Sequence, residues 1–281
     1  MTRIAIVTDI HHGAPSNTKR GDTALKLLSQ FTDWANAEKP DLVLDLGDRI
    51  SDIDSQIDAG LEREVAEVFT RLEMPVHHIC GNHDRDHLSV AENAEFLRAE
   101  LGNQLIDIGV WQLALWRADA KIHRDNTREG FDLPEADLLW LSQMAQLAEK
   151  PTLVASHVPF SGHSQIGNYY FQRNALVSTY PQSDRARTAL AQARVPVACI
   201  AGHVHWNTVT TVDGIPHMTQ QSLTESFTTA GNPARAWGML TLGDTVHWQV
   251  LGDDPFEARL TPSRQRWTPP LAPFLQEFNT E

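Results

Sequence analysis

Short apolar runs rich in β-branched residues recur along the chain, and most are compact enough to form buried strands. Between them, apolar residues return at helical spacing. The predicted strands cover residues 4–8, 42–46, 76–80, 152–155 and 197–201. The predicted helices cover 20–37, 57–72, 88–101 and 133–149, the last with a capping box of Asp132 and Glu135, and 104–118 is predicted to be a strand pair around Gly109. This alternation predicts an α/β fold.

Polar motifs follow the ends of the five predicted strands. In open α/β sheets, ligands bind beyond the carboxyl ends of the strands, so side chains far apart in sequence can meet in one pocket. Taken singly, the first four motifs are more typical of a turn or an ordinary histidine than of a metal site, and the fifth is moderately specific. Their ordered occurrence together indicates a functional site. The motifs are Asp9-Ile10-His11, Gly47-Asp48, Gly81-Asn82-His83-Asp84, Ser156-His157 and Gly202-His203-Val204-His205.

The residue types in these motifs indicate a two-metal centre. Asp, His and Asn offer oxygen and imidazole nitrogen, which suit Zn, Mn, Fe or Co better than Ca or an ion that selects thiolates. A carboxylate such as Asp48 can bridge two cations. Two ions about 3.5–4 Å apart can clamp the attacking and leaving oxygens of an in-line displacement. The motifs therefore predict hydrolysis of a phosphoester.

The motif order resembles the calcineurin-like metallophosphoesterases, whose pattern is D-x-H, G-D, G-N-H-D/E, a lone H and G-H-x-H. The resemblance covers roughly residues 3 to 250 and implies a four-layer α/β/β/α sandwich with two transition-metal ions, such as Fe, Mn or Zn. It also implies a metal-bridging hydroxide as nucleophile, with catalytic roles for His83 and the bridging Asp48. The implied ligands are Asp9, His11, Asp48 and His205 for the first ion, and Asp48, Asn82, His157 and His203 for the second.

One position departs from the family pattern. Many members have G-D-x-x-D, whereas this chain has Ser51 where the second Asp is expected and Asp52 one position later. We expect Ser51 or Asp52 to supply a hydrogen bond behind the metal ligands, as Asp84 can for its own loop. The metal site should therefore survive the shift.

The residues beside the motifs favour a small substrate. Protein Ser/Thr phosphatases have R-G-N-H-E, whereas Cys80 precedes Gly81 here. The stretch resembles bacterial cyclic-nucleotide and glycerophosphodiester phosphodiesterases and manganese-dependent ADP-ribose/CDP-alcohol pyrophosphatases, which implies a small organic phosphodiester or nucleotide as substrate. The residues expected to contact it are Asn82, His83, Arg49, Arg85, Tyr169 and Tyr170.

The segment 159–180, directly after the motif that contains His157, is long, polar and aromatic. Such a segment can cover the pocket and select the substrate. It can equally pack a surface loop or a subunit interface, and the sequence leaves these possibilities open.

Composition limits the partners. The 281-residue chain has a formal net charge of −13 and no basic run with interleaved aromatic residues. Because nucleic-acid binding draws most of its affinity from Lys and Arg, we expect no nucleic-acid partner. No apolar stretch approaches the length of a membrane span, and Cys80 and Cys199 are expected to be free thiols. These features predict a cytoplasmic protein without stable membrane insertion.

One catalytic domain is expected over residues 1–252, because motifs spread from residue 9 to residue 205 leave no place to divide it. Residues 253–281 are rich in proline. They are predicted to form an arm that packs on the domain or on the partner subunit of a possible homo-oligomer.

Two alternatives to a small-molecule phosphodiesterase remain. One is a lipid-related member of the same superfamily, either a UDP-diacylglucosamine pyrophosphatase or a phospholipase C-like enzyme, which would need an exposed apolar cap or groove. The other is a non-catalytic binding protein that kept the fold. That alternative predicts lost metal ligands or a lost His83, and none is lost in this sequence.

Overall fold

The computed structural model describes residues 1–124 and 129–267. Within these ranges the chain forms two six-stranded mixed sheets and a two-stranded ribbon. In chain order the strands are β1 (Thr2–Val7), β2 (Leu42–Asp45), β3 (Val76–His78), β4 (Gln104–Asp107), β5 (Gln112–Leu115), β6 (Ile122–Arg124), β7 (Glu129–Phe131), β8 (Thr152–Ser156), β9 (Val197–Ala201), β10 (Thr208–Val212), β11 (Ile215–Thr219), β12 (Trp237–Leu242), β13 (Val246–Leu251) and β14 (Phe256–Leu260).

The first sheet has the order β14-β13-β12-β1-β2-β3, the second has the order β10-β11-β9-β8-β5-β4, and β6 pairs with β7. Strands β1, β2 and β3 are parallel, as are β5, β8, β9 and β11. The five predicted strands correspond to β1, β2, β3, β8 and β9. Each of them belongs to a parallel part of its sheet, so the motif loops leave from shared sheet edges.

Helices cover the outer face of each sheet. In chain order they are α1 (Ala24–Glu38), α2 (Ser55–Phe69), α3 (Asn82–Arg85), α4 (Val90–Leu97), α5 (Glu135–Leu147) and α6 (Ser183–Leu190). Helices α1 and α2 pack on the first sheet, and α5 and α6 pack on the second. This arrangement confirms the predicted four-layer α/β/β/α sandwich.

Strand β1 illustrates why the buried strands have continuous apolar sequences. Ile4 and Ile6 pack in the core between the two sheets, whereas Ala5 and Val7 pack against the residues of α1 and α2. Successive side chains of a strand point to opposite faces. Because both faces of this strand are covered, every position in the run is apolar.

Helix ends differ from the prediction by a few residues, and at two of them the structure shows the cause. Helix α5 begins with Pro134 at its N-cap and no side-chain cap, so the predicted capping box of Asp132 and Glu135 is wrong. The carbonyl of Pro134 already accepts hydrogen bonds from Asp137 and Leu138 at 3.0 and 3.2 Å, and the ring fixes a φ of −61°. Helix α4 ends at residue 97, earlier than predicted, because the next residue adopts a left-handed φ of 51°.

The predicted C-terminal arm begins with an edge strand. Residues of β14 pair antiparallel with β13, whereas residues 268–281 lie outside the described residues. Cys80 and Cys199 are free thiols. Within residues 1–124 and 129–267, no helix combines the length and the apolar character needed to span a bilayer.

Candidate metal centre

The loops after β1, β2 and β9 hold most of the predicted ligands in a left-handed backbone conformation. The φ angles are 52° at Asp9, 50° at His11, 55° at Asp48, 69° at His203 and 56° at His205. Residues other than glycine rarely adopt this conformation, which costs free energy and concentrates at functional sites. Five of the seven predicted ligands therefore lie on strained backbone that the surrounding fold must maintain.

Two motif glycines are required by the close approach of neighbouring loops. A Cβ atom at Gly81 would lie 2.1 Å from Asp48 Oδ1. A Cβ atom at Gly202 would lie 2.1 Å from Thr8 Oγ1 and 2.6 Å from Asp9 Oδ2. Because no side chain fits at these distances, only glycine lets the third and fifth motif loops pack directly on the carboxylates.

Four predicted ligands converge beside the end of β1. Asp9, His11, Asp48 and His205 place their donor atoms within 4.8 Å of one another. His205 Nε2 lies 2.9 Å from His11 Nε2 and 3.2 Å from Asp9 Oδ1. Two ligand atoms about 2.1 Å from one ion, at neighbouring corners of its coordination shell, are ~3 Å apart. The observed spacing therefore fits a shared metal ion.

A second cluster contains Asp48, His157 and His203, and so shares Asp48 with the first. The Oδ2 atom of Asp48 lies 3.4 Å from His157 Nε2 and 3.8 Å from His11 Nε2. Asn82 Oδ1 lies 3.3 Å from His157 Nε2 and adds an amide oxygen to this cluster. The carboxylate of Asp48 therefore faces both clusters, as a bridging ligand must.

Three of the histidines are oriented by an acceptor oxygen behind the ring. Because a carbonyl or carboxylate only accepts, the opposite nitrogen of each neutral ring carries the lone pair. In His203 that nitrogen is Nδ1, which is buried and has no hydrogen-bond partner among the described residues. The donor and acceptor pairs are His157 Nδ1 with Leu46 O at 2.8 Å, His203 Nε2 with Val177 O at 2.7 Å, and His205 Nδ1 with Glu225 Oε2 at 2.9 Å.

The electrostatics of the clusters favour cations. Burial lowers the pKa of His157 and His205, but the carboxylates of Asp48 and Asp9, respectively, outweigh this effect and raise each pKa to about 9. Burial and the neighbouring His157 lower the pKa of His203 to about 3. The carboxylates thus stabilise positive charge here, and an ion that bound His157 and His205 would release protons. The donor types, their spacing and the unpartnered nitrogen all fit a pair of transition-metal ions.

His83 lies beside the clusters and is oriented by Asp52. The Nδ1 atom of His83 hydrogen-bonds to the Asp52 carboxylate, and its backbone N–H donates to Asp48 Oδ1 at 2.8 Å. Asp52 is the carboxylate that stands one position later than the second Asp of the family pattern G-D-x-x-D. Ser51, which stands in the usual place, donates its hydroxyl to the carbonyl of His11 at 3.2 Å. Both residues therefore lie behind the site, and the shifted carboxylate contacts the histidine.

Arg49 lies in a buried ion-pair network, away from the cavity. Its fully buried guanidinium pairs with Asp45 at 2.9 Å, with Asp84 at 3.2 Å and with Glu62. The predicted substrate contact of Arg49 is therefore wrong, because three carboxylates hold the side chain in the interior. Asp84 also accepts hydrogen bonds from the backbone N–H groups of residues 48, 49 and 81 at 2.7–2.9 Å, and so joins the second and third motifs.

Arg85 also lies away from the cavity. Its Nη1 donates to the carbonyl of Leu88 at 2.6 Å, and its Nε lies 3.4 Å from Asp119 Oδ1. The predicted substrate contact of Arg85 is wrong for the same reason, because local partners direct the guanidinium elsewhere.

A cavity opens over both clusters and is bounded by two walls. Tyr169 and Tyr170 line this cavity together with residues of both clusters, and each is 43% exposed. The hydroxyl of Tyr169 accepts a hydrogen bond from Thr18 Oγ1 at 2.7 Å. The cluster wall contains Asp48, Asn82, His83, His203 and His205, and the loop wall contains Asn17, Lys19, residues 168–171 and Val177. Ile122 and Arg124 of β6 and Val204 complete the lining.

Sequence reasoning missed two side chains at the site. Lys19 lies on a turn between β1 and α1, and no motif singles it out. Burial lowers its pKa. Glu225, which orients His205, follows β11; burial raises its pKa, but His205 outweighs this effect and lowers it to about 2. Because β11 is parallel to β9, its carboxyl end meets the same sheet edge, and recognition of this strand could have indicated Glu225.

Several solved structures are similar to this chain. A dimetal phosphatase from Danio rerio is 15% identical, with a TM-score of 0.74 over 93% of this chain and 99% of that chain. The phosphopantetheinyl hydrolase from Mycobacterium tuberculosis is 12% identical, with a TM-score of 0.49 over 79% and 90% of the two chains. A phosphoesterase from E. coli is 12% identical, with a TM-score of 0.44 over 93% and 100%. No curated protein matches the sequence significantly.

A family model described as calcineurin-like phosphoesterase matches residues 2–207. This span contains all five motifs and every residue of both clusters. Glu225, which hydrogen-bonds to His205, lies outside it. The family consists of phosphoester hydrolases with dinuclear metal centres, and the Danio rerio structure shares the fold. The match confirms the resemblance seen in the motifs, and the chain belongs to the calcineurin-like phosphoesterase family.

Proposed function

We propose that this protein is a phosphodiesterase that hydrolyses small organic phosphodiesters or nucleotides with two transition-metal ions. The cavity carries the proposal, because candidate metal ligands and the rings of Tyr169 and Tyr170 line the same cavity. A phosphoryl group bound at the clusters would have an aromatic surface within reach of its organic substituent. Substrates with such a substituent should therefore bind best.

In this proposal each cluster holds one ion. All of the candidate ligands and His83 are retained, which favours an enzyme over a binding protein of the same fold. Imidazole, carboxylate and amide donors suit Mn, Fe or Zn. When bound, the ions supply Lewis acidity and activate water for in-line attack. The proposed ligands are Asp9, His11, Asp48 and His205 for one ion, and Asp48, Asn82, His157 and His203 for the other.

His83 is the proposed proton donor or hydrogen-bond donor to the phosphate. Its Nδ1 is held by Asp52, which leaves Nε2 to act on a phosphate oxygen or on the leaving oxygen. Its backbone hydrogen bond to Asp48 keeps the ring at a fixed place relative to the bridging carboxylate. These contacts hold His83 without using it as a metal ligand.

The aromatic wall formed by Tyr169, Tyr170 and Phe227 supports a phosphodiester as substrate in preference to a monoester. The ring centroids of Tyr169 and Phe227 are 5.0 Å apart, and those of Tyr169 and Tyr170 are 6.2 Å apart. Such a surface can accept a second organic group on the phosphate. The formal net charge of −13 further disfavours polyanionic substrates such as nucleic acid.

The experiment compares bis(p-nitrophenyl) phosphate with p-nitrophenyl phosphate, using protein reconstituted separately with Mn²⁺, Zn²⁺ or Fe²⁺. We expect higher kcat/KM for the diester. Removal of the ions with a chelator should abolish the activity, and readdition should restore it. An Asp48→Ala preparation controls for contaminating hydrolases. A clear preference for the monoester would contradict the phosphodiesterase proposal while leaving the family assignment intact.

A lipid-related substrate is the second candidate, and exposed apolar side chains favour it. Ile166 and Leu176, in the same segment as the two tyrosines, are 77% and 68% exposed. Such side chains could contact acyl chains. Hydrolysis of a short-chain phospholipid should then fall in an Ile166→Ser, Leu176→Ser double variant, with hydrolysis of a water-soluble glycerophosphodiester unchanged. Equal activities of the variant and the wild type on the phospholipid would exclude this role.

A further inference from the structure

Lys19 brings a positive charge into the cavity beside His83. Its side chain lines the cavity, and its Nζ lies 3.4 Å from His83 Nε2. Within the described ranges this is the only side-chain hydrogen bond of Lys19, and no carboxylate forms an ion pair with it. An ammonium group that is partly removed from water and lacks a paired anion has capacity for a ligand.

The backbone around Lys19 is fixed. Ser16 and Lys19 exchange two backbone hydrogen bonds of 2.8 and 3.0 Å across a turn in which Asn17 has a left-handed φ of 50°. The carbonyl of Thr18 accepts a hydrogen bond from Ser226 Oγ at 2.5 Å, and the backbone N–H of Arg20 donates to Thr224 O at 3.0 Å. The turn is therefore attached to the loop after β11 on both sides of Lys19, which limits where the ammonium can lie.

The carboxylates near Lys19 already have other partners. Asp9, Asp48, Asp52 and Glu225 act on its charge. Asp52 contacts His83, and Glu225 contacts His205. Asp9 and Asp48 belong to the proposed metal clusters. With those two carboxylates neutralised by ions, an incoming phosphate is the anion best placed to pair with the ammonium.

We propose that Lys19 donates a charge-assisted hydrogen bond to a non-bridging oxygen of the phosphoryl group and is therefore a substrate-binding residue of this cavity. In the contact with His83 the ammonium donates to Nε2; a phosphate oxygen would take the place of that nitrogen as acceptor, which would free Nε2 for a different oxygen of the same group. The inference rests on the proposed hydrolysis of phosphoesters in this cavity, and it holds for diesters and monoesters alike.

The turn that carries Lys19 also supports the aromatic wall. Thr18 Oγ1 donates to the Tyr169 hydroxyl at 2.7 Å. The group that holds the phosphate and the ring that would face its organic substituent are therefore connected through adjacent residues. Two contributions to binding can be tested independently: the charge of Lys19 and the position of Tyr169.

The experiment measures binding of inorganic phosphate by calorimetry to protein reconstituted with Mn²⁺, together with its metal content and its unfolding temperature. The variants are Lys19→Met, which removes the charge, and Lys19→Arg, which keeps it. Lys26→Met, on the exposed surface of α1, is the matched control. We expect Lys19→Met to bind phosphate on the order of 10- to 100-fold more weakly with both ions retained, the range for loss of one charge-assisted hydrogen bond. Lys19→Arg should recover part of the loss, and Lys26→Met should match the wild type.

Two results would overturn the assignment. Unchanged phosphate affinity in Lys19→Met would exclude the contact. Loss of bound ions or of folding in both Lys19 variants would make the residue structural. Neither result depends on the diester preference, so a failure of the Lys19 assignment and a failure of the phosphodiesterase proposal can be told apart.

Discussion

The cluster wall of the cavity comes from residues that follow strand ends, whereas the loop wall comes from two loops. On the first wall, Asp48 and His203 are almost fully buried and follow β2 and β9. On the second, Tyr169 and Tyr170 are each 43% exposed and belong to a segment outside the large sheets. This division places the proposed chemistry at the ends of strands and the proposed substrate contacts on loops.

The two walls are nevertheless connected. His203 Nε2 donates to Val177 O at 2.7 Å, so a loop carbonyl orients a candidate ligand. Asn168 Nδ2 donates to Val204 O at 2.8 Å, and Trp206 Nε1 donates to Gln165 Oε1 at 2.9 Å. The segment that lines the cavity is therefore attached to the fifth motif at two points and to the next residue, Trp206, at a third. We infer that it acts as a fixed wall of the site in this conformation.

The bridging carboxylate gives the sharpest test of the cluster wall. Replacement of Asp48 by Ala removes the one side chain that both clusters share. We expect hydrolysis to fall by about 10⁴-fold or more, as for a member of a catalytic unit, and bound metal to fall toward one ion or none. Steady-state rates and metal analysis measure both effects, with Asp33→Ala on exposed α1 as the control. Two bound ions and a near-normal rate would contradict the two-metal assignment.

The comparison also explains what could be predicted from the sequence. The cluster wall was predictable because ligands must be particular residue types at particular strand ends, and His203 and His205 meet both conditions. The error at Arg49 has a physical cause: its partners Asp45, Glu62 and Asp84 come from β2, α2 and α3. Contacts between such separate elements leave no local pattern beside a motif. Lys19 was missed for the same reason, since its place in the cavity depends on a turn attached to residues 224 and 226.

A His83 variant tests whether catalysis can be separated from metal binding on the cluster wall. We expect His83→Ala to keep both ions while kcat falls on the order of 10²–10⁴-fold, the range for removal of a general acid. Asp52→Asn should lower kcat by less, because the ring remains and loses only its orienting carboxylate. The measurements are kcat and metal content. Loss of metal in His83→Ala would show that the residue is a ligand.

Glu225 tests whether the outer hydrogen bonds matter to the clusters. It accepts from His205 Nδ1 at 2.9 Å, and its other oxygen accepts from the backbone N–H of Ser226 at 2.7 Å. We expect Glu225→Gln to weaken metal binding at the first cluster by about 10–100-fold, the usual cost of losing such a partner. Competition with a chelator measures this affinity. The matched control is Glu257→Gln, which alters the pair formed by Glu257 of β14 and His247 of β13. Equal metal affinities of the Glu225 and Glu257 variants would refute the role.

The smallest expected effect belongs to the loop wall and compares the ring of Tyr169 with its hydroxyl. The ring packs on Phe227 with centroids 5.0 Å apart, while the hydroxyl accepts a hydrogen bond from Thr18 Oγ1. Tyr169→Ala removes both, so KM for an aryl phosphodiester should rise about 3- to 10-fold with kcat little changed, as expected when an aromatic contact common to ground and transition states is lost. Tyr169→Phe keeps the ring and should change KM by less than about twofold. If Tyr169→Phe proved as damaging as Tyr169→Ala, the hydrogen bond to the Lys19 turn would be the important interaction. If neither variant changed KM, the substrate would not use this wall.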